Sequence, residues 1–312
     1  MYDDNDFENF YTINIEPSLP RLRTEVKGMD IWRFVAVAGA VSVVGVFIGY
    51  TNNYLSGNDT GILVGIFTAL AVFASLKWAK RRDRFTDDLK NSIITEIIKH
   101  LCPELEYQPD KCISEAEYKA SSLFRYEYDH FDGDDLVKGV IDHVSFRCSE
   151  LHTRADMGRH VMPIFNGLFF SAKINSRFSG GTYIWPWDRV QLPTSMMDEE
   201  YRLMPMPQIV DIKTGDSEFE NYFRVCSSAP KQAQEILSEK MMDNMLRLVK
   251  GIGRHIAISF VAGRCYVAIT FNKELLEETK YDPGDKTEIK AYFDTVSLFP
   301  IVIKRLELEK LQ

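Results

Sequence analysis

Two stretches of this chain, Phe34 to Tyr50 and Gly61 to Leu76, contain no Asp, Glu, Lys or Arg. Helices buried inside soluble domains rarely lose all charge over such a length, and in hydrocarbon an isolated apolar segment satisfies its backbone only as a helix. With Ile31, Trp32 and Trp78 as flanks, each run reaches the roughly 17 to 25 residues that a membrane-crossing helix needs. A second absence concerns cations at the start. Met1 to Pro20 has no Lys or Arg and carries Asp3, Asp4, Asp6, Glu8 and Glu16, which excludes a secretory signal peptide, since that opens on a basic stretch. The loop Thr51 to Thr60 has no cation either, only Asp59.

Other chemistry is missing as well. The five cysteines (Cys102, Cys112, Cys148, Cys226, Cys265) are odd in number and include no CxxC pair, so they read as free thiols rather than bridges or metal ligands. No serine sits in a GxSxG elbow. Gly251-Ile252-Gly253 follows a helical stretch instead of joining strand to helix, so it is not a dinucleotide loop. A net charge of −8 argues against nucleic acid as a partner. Neither apolar run holds an ionisable residue that would mark a transport pathway.

What is present gives the orientation. Arg21, Arg23, Lys27 and Arg33 precede the first run, and Lys77, Lys80, Arg81, Arg82 and Arg84 follow the second. Because short basic flanks stay in the cytoplasm, both termini are expected inside, as in a multi-pass protein of a bacterial inner membrane. Trp32, Tyr50 and Trp78 are the expected interfacial anchors. Gly45, Gly49, Gly61, Gly65 and Ala69 supply small residues through which the two helices would pack on each other, or on another copy in an oligomer. The expected divisions are residues 1–30 as a cytosolic tail, 31–80 as a transmembrane hairpin and 81–312 as a cytosolic domain.

The remainder, 45% apolar across the whole chain, can fill a real core. Phe85, Leu89, Ile93, Ile94, Ile97 and Ile98 make one face of a helix over Asp83–Leu101, ended at Cys102-Pro103. A helix is expected around Glu115 to Leu123, and strands over Leu136 to Arg147, Ile164 to Ile174 and Thr182 to Trp185, the last stopped by Pro186. Trp187 to Gly215 has no sustained period and reads as an irregular connection. Glu218 to Val225 reads as a strand. Ser228 then caps one helix with Pro230 in its first turn and an apolar stripe from Ala233 to Val249, ended at Gly251. His255 to Val261 and Arg264 to Phe271 flank Ala262-Gly263 as a hairpin. Tyr292 to Leu308 closes the chain as a helix that must accommodate Pro300. The order indicates an α+β fold, with an antiparallel sheet and flanking helices behind the hairpin.

Several of these segments resemble one family. Ser122-Leu123-Phe124, Gly133-Asp134-Asp135-Leu136-Val137-Lys138-Gly139, Phe146 with Ser149-Glu150-Leu151, Phe165-Asn166-Gly167-Leu168-Phe169-Phe170, Phe178 and Gly181-Thr182-Tyr183 are similar to the bacterial domain-of-unknown-function family thirty-one thirty-seven. Phe219-Glu220, Phe223-Arg224-Val225, Ala233, Ile236-Leu237, Ile258-Ser259-Phe260 and Tyr266-Val267-Ala268-Ile269 continue the likeness, which spans Ser121 to Phe271. The chain departs from that pattern at Lys173-Ile174-Asn175 and at Cys226. The resemblance implies a transmembrane pair ahead of the domain and no known activity.

Three groups of residues invite a functional reading. Asp129, Asp132, Asp134 and Asp135 offer carboxylates to a hard cation, but Gly133 comes too early for a calcium loop, so a solvated turn is expected and no metal is assigned. His143, His152 and His160, near Asp142 and Glu150, share no helical face or HxH pair and are expected to be scattered. Phe178, Tyr183, Trp185 and Trp187 read as core aromatics, with a binding platform as the alternative. No catalytic or cofactor-binding residue is assigned. The composite expectation is a membrane-tethered binding or scaffold module whose cytosolic domain recognises a protein partner or a small ligand. The alternative is a tethered hydrolase-like enzyme, which a convergence of Asp134, Asp135, His143 or Glu150 would favour, whereas an exposed aromatic patch at Trp185 would favour the partner.

Overall fold

The structure, a computed structural model, describes residues 4–158, 160–174, 180–187, 208–271 and 284–311. Phe178, Asn175 and residues 188–207 of the expected irregular connection lie outside them. The chain divides into two compact units, Asp3–Glu96 with Glu278–Lys290, and Met1–Tyr2 with Ile97–Glu277 and Ala291–Gln312.

In the first unit, helix α1 (Asp4–Phe10) runs through one π turn and a 3-10 turn at Pro17 into α2 (Leu19–Thr51). Helix α3 (Gly57–Leu101) follows, 45 residues or roughly 68 Å long. Both are long and apolar enough to cross a membrane. Their apolar side chains are bare: Phe34 is 74% exposed, Val41 65% and Leu76 66%. The helices approach at Gly39, where an added Cβ would stand 3.0 Å from Ala71 Cβ and 3.2 Å from the Phe67 carbonyl oxygen. The expected small-residue faces are not the contact. A Cβ on Gly45, Gly61 or Gly65 would meet nothing within 4 Å, and one on Gly49 would meet only Leu55. The small residues that let the backbones close are thus Gly39 and Ala71, on turns the four-residue repeat did not single out.

The second unit is built on a nine-stranded antiparallel sheet, in the order β1-β2-β3-β4-β9-β8-β5-β7-β6. Its strands are β1 (Glu106–Gln108), β2 (His130–Ile141), β3 (Val144–Asp156), β4 (Val161–Lys173), β5 (Thr182–Pro186), β6 (Val210–Ile212), β7 (Phe223–Ser227), β8 (Ile256–Val261) and β9 (Arg264–Thr270). Short helices α4 (Glu115–Ala120), α5 (Ser217–Tyr222) and α6 (Pro230–Ile236), then α7 (Glu239–Ile252) and α8 (Lys286–Arg305), complete it. One face of the sheet packs Phe165, Phe169, Tyr183, Trp185 and Tyr266 against Tyr118 of α4 and Leu123. On the other, Phe146 and Phe170 meet Phe299 of α8 at ring separations of 6.4 and 5.8 Å. With both faces covered, β4 is buried almost continuously from Phe165 to Ala172.

Local chemistry explains where the elements differ from expectation. The expected strand Leu136–Arg147 is two strands: Asp142 and His143 turn between β2 and β3 with φ of 47° and 68°. Residues 218–222, expected as strand, are helical, because Asp216 caps α5 by accepting from the N–H groups of Glu218 and Phe219. The helical stripe from Ala233 breaks at Leu237, and Ser238 caps a new helix by accepting from Met241 N–H. That helix ends at Gly253, left-handed at φ 64°, not at Gly251. Ser228 is not the cap of α6, whose N-cap is Ala229; its hydroxyl instead accepts from Gly181 N–H at 2.9 Å. The Ala262-Gly263 hairpin and the Asp83–Leu101 helical segment form as expected, the latter as the continuation of α3. Pro300 is accommodated inside α8.

Ser114 caps α4, but Glu117, three residues on, does not turn back to the cap. Its carboxylate accepts from Arg147 at 3.0 Å, Arg264 at 2.8 Å and Ser171, tying α4 to β3, β4 and β9. An arginine–carboxylate network of this kind fixes position through charge-assisted bonds.

Candidate functional site

Successive residues of a strand point to opposite faces, so Asp134 and Asp135 should not meet. A bulge changes that. Asp134 pairs with Glu150 and Val137 with Cys148, leaving an extra residue in β2 between them. Asp135 is left-handed at φ 55°, a conformation that Asp tolerates. The loop before α4 takes over the displaced backbone bonds: Asp135 N–H donates to the Pro109 carbonyl and Leu136 N–H to that of Lys111, at 2.9 and 2.8 Å. Carboxylate oxygens of Asp134, Asp135 and Glu150 thereby lie within 4.8 Å of one another, with Asp135 and Glu150 only 3% and 2% exposed.

The surroundings are built tightly. Gly133 has no room for a side chain: a Cβ there would stand 2.7 Å from the Glu150 carbonyl oxygen and 3.1 Å from Cys112 Cβ. Tyr107 donates its hydroxyl proton to Asp135 Oδ1 at 2.5 Å. His152 Nε2, two residues along β3, stands 3.8 Å from Glu150 Oε1. Burial, followed by the charge of Asp135, pushes the Tyr107 phenol well above its usual range. Burial, with Glu150 and Asp135 adding to it, does the same to the Cys148 thiol, and burial with Asp134 and Asp132 raises that of Cys112. These groups are therefore held protonated. A thiol kept neutral by burial is a weak nucleophile. What remains is an oxygen-rich cluster able to face a hard cation.

The expectation of a solvated turn at Asp129–Asp135 is corrected: His130 onward is strand, and Asp135 is buried. Within the stretch, Asp132 pairs with Arg154 at 2.7 Å, and Asp129 accepts from Asp156 N–H at 2.7 Å. Only Asp134 and Asp135 reach the cluster. His143 and His160 lie apart from His152, which stands beside Glu150. His143 sits in the turn before β3 and His160 beyond its far end, so the 13 residues of β3, roughly 40 Å, separate them. The sequence names Glu150 as a neighbour of those histidines and among the residues whose convergence would mark an enzyme, without pairing it to Asp134. The signal that joins it to Asp134 is the cross-strand register, which no local spacing carries.

Among the described residues the aromatic platform is not formed. Trp185 is 1% exposed, its indole N–H donates to the Leu123 carbonyl at 3.0 Å, and Tyr183 stacks on it at 5.4 Å. Trp187, just past the end of the strand, is 55% exposed.

Three comparisons bear on identity. No curated protein matches the chain. Among solved structures, the crystal structure of the mycobacterial trehalose monomycolate transport factor A, TtfA, is similar at 9% identity and a TM-score of 0.35, covering 68% of this chain and 96% of that one. That likeness is too slight to argue from. Residues 163–308, from β4 to just past α8, match DUF3137, a protein family of unknown function. The matched segment begins after the acidic cluster and extends past Phe271, where the likeness read from the sequence stopped. Over residues 163–308 the chain is similar to the DUF3137 family, the family its sequence resembles.

Proposed function

We propose that this is an integral membrane protein of the bacterial inner membrane, whose α2–α3 hairpin tethers a cytosolic α+β domain that works by binding a protein partner, as a scaffold. The observation that carries the reading is the bare apolar surface of both long helices. Phe34, Val37, Val41, Val44, Phe47, Ile62, Ile66, Leu70, Phe73 and Leu76 are all more than two-fifths exposed, a patch far beyond what a soluble monomer presents to water. The basic flanks put both termini in the cytoplasm and the short loop after Thr51 outside. In this reading residues 1–30 are the tail, 31–80 the hairpin and 81–312 the cytosolic domain.

The acidic cluster supports a second reading, a tethered hydrolase-like enzyme. The convergence named for the enzyme reading, of Asp134, Asp135, His143 or Glu150, is met by Asp134, Asp135 and Glu150, while His143 lies in a turn at the end of the strands. Crosslinking in intact membranes tests the proposal. The expected result is a reproducible protein neighbour that is lost when residues 97–312 are replaced by an unrelated domain behind the same hairpin. Recovery of no neighbour, or of the same neighbours from the replaced chain, would contradict it.

A further inference from the structure

We infer that the basic end of the hairpin is a binding site for the headgroups of anionic phospholipids, an inference that rests on the membrane reading above. The apolar run of α2 begins at Phe34 and that of α3 ends at Leu76. Immediately beyond these limits stand Lys27 and Arg33 on α2, and Lys77, Lys80, Arg81, Arg82 and Arg84 on α3. All seven are exposed, and the same two segments hold only Asp30 and Asp83 as acids, giving a net charge of +5 in a chain whose total is −8. An acidic protein has gathered its cations where it would meet lipid phosphates.

A topology signal needs only cations on one flank, in any arrangement. Here the two helices bring them to one level on aromatic seats. Lys77 Nζ lies 5.4 Å from the ring centroids of both Trp32 and Phe73, the Arg81 guanidinium carbon 6.0 Å from Trp32, and that of Arg82 5.6 Å from Trp78. Trp32 itself meets Phe73 edge-on at 6.3 Å, joining α2 to α3 at this height. Indole rings settle at the headgroup level of a bilayer, and a cation held over one keeps its charge while giving up freedom of position. Arginine also matches the geometry of a phosphodiester through paired N–H donors. The ligand class is therefore a glycerophospholipid with net negative charge. Phosphatidylcholine carries the same phosphate but balances it internally, so it discriminates charge recognition from general solvation.

The test uses the full chain reconstituted in phosphatidylcholine bilayers containing a minor fraction of phosphatidylglycerol, with spin-labelled forms of each lipid reporting the shell around the protein. Phosphatidylglycerol is expected to be enriched in that shell over its bulk share, and high salt is expected to reduce the enrichment. Replacing Lys80, Arg81 and Arg84 together by Gln should lower it by at least about fivefold, the effect of one surface cation on an anionic membrane. Lys27, Arg33, Lys77 and Arg82 remain, so the orientation signal persists in that variant. A wild-type shell with the bulk composition, or a triple variant that enriches phosphatidylglycerol as well as the wild type, would overturn the inference. Alkaline extraction separates the two readings: a chain released from the membrane by carbonate would defeat the membrane reading itself, whereas an embedded chain with an unselective shell defeats only the lipid site.

Discussion

Trp185 and Trp187 lie two residues apart, and exchanging each for Ala asks whether the aromatic segment is core or binding surface. Trp185 is 1% exposed, stacked on Tyr183 and bonded to the Leu123 carbonyl; Trp187 is 55% exposed. Truncating a buried aromatic to Ala costs about 3 to 5 kcal/mol. The Leu123 carbonyl would also lose its donor inside the core, which adds about 1 kcal/mol or more. Trp185→Ala is therefore expected to cost about 4 to 6 kcal/mol, most of what an ordinary domain has. At about 2 to 4 °C per kcal/mol for a domain of this size, its thermal midpoint should fall by about 10 °C or more. Trp187→Ala should stay within about 0.5 kcal/mol of the parent, as exposed substitutions do. Trp185→Phe, which keeps the ring but removes the indole N–H, should fall between them. Thermal melts of the detergent-solubilised full chain, followed by circular dichroism, measure all three. Equal midpoints for the two Ala variants would refute the assignment of Trp185 to the core.

Gly167 adopts φ 149°, and a Cβ there would stand 2.1 Å from the Ile269 carbonyl oxygen of β9, so Gly167→Ala should separate β4 from β9 and cost about 3 kcal/mol or more, read as a lower urea midpoint. Gly39→Leu should drive α2 from α3 whereas Gly45→Leu should not, and disulfide trapping of cysteine pairs placed on facing turns of the two helices measures the difference. Burial, opposed by the Lys304 ammonium and helped by Asp142, pushes the Cys102 thiol up to about 11, and burial with Asp211 pushes Cys226 to about 12. The unfolded chain ionises these thiols near pH 9 while the folded one keeps them protonated, so it binds fewer protons than the fold between pH 9 and 11. Stability should be full below pH 9 and fall as the pH rises through that window, and a urea midpoint that stayed flat from pH 8 to 11 would contradict the assignment.

Much of this architecture can be read directly from residue order where one rule acts alone. The charge-free runs and their basic flanks mark α2 and α3; the face Leu89, Ile93, Ile94, Ile97 and Ile98 is buried in α3 as its spacing requires; Ala262 and Gly263 take φ of 50° and 73° in a tight turn. Other features are set by partners distant in sequence. Asp142-His143 turns without the Asn-Gly chemistry that announces a two-residue hairpin, so the alternating pattern of β2 and β3 reads as one strand. Ser238 restarts a helix inside a stripe whose apolar spacing continues on both sides of it. The acidic cluster was half visible. Asp134 and Asp135 stood out by composition, but the bulge that turns them to one side and the register that brings Glu150 to them belong to strand pairing, which a single sequence does not encode locally.

The central claim is placement, and thiol labelling in intact cells tests it most directly. The five native cysteines are free and buried or half-buried, with four of them outright buried, so they give a quiet background. Asn53→Cys, in the loop between α2 and α3, should react with a membrane-impermeant maleimide added outside, and Lys310→Cys near the C-terminus should react only after the membrane is opened. Labelling of both positions from outside, or of neither until the cells are broken, would contradict a hairpin that crosses the bilayer twice with its domain inside.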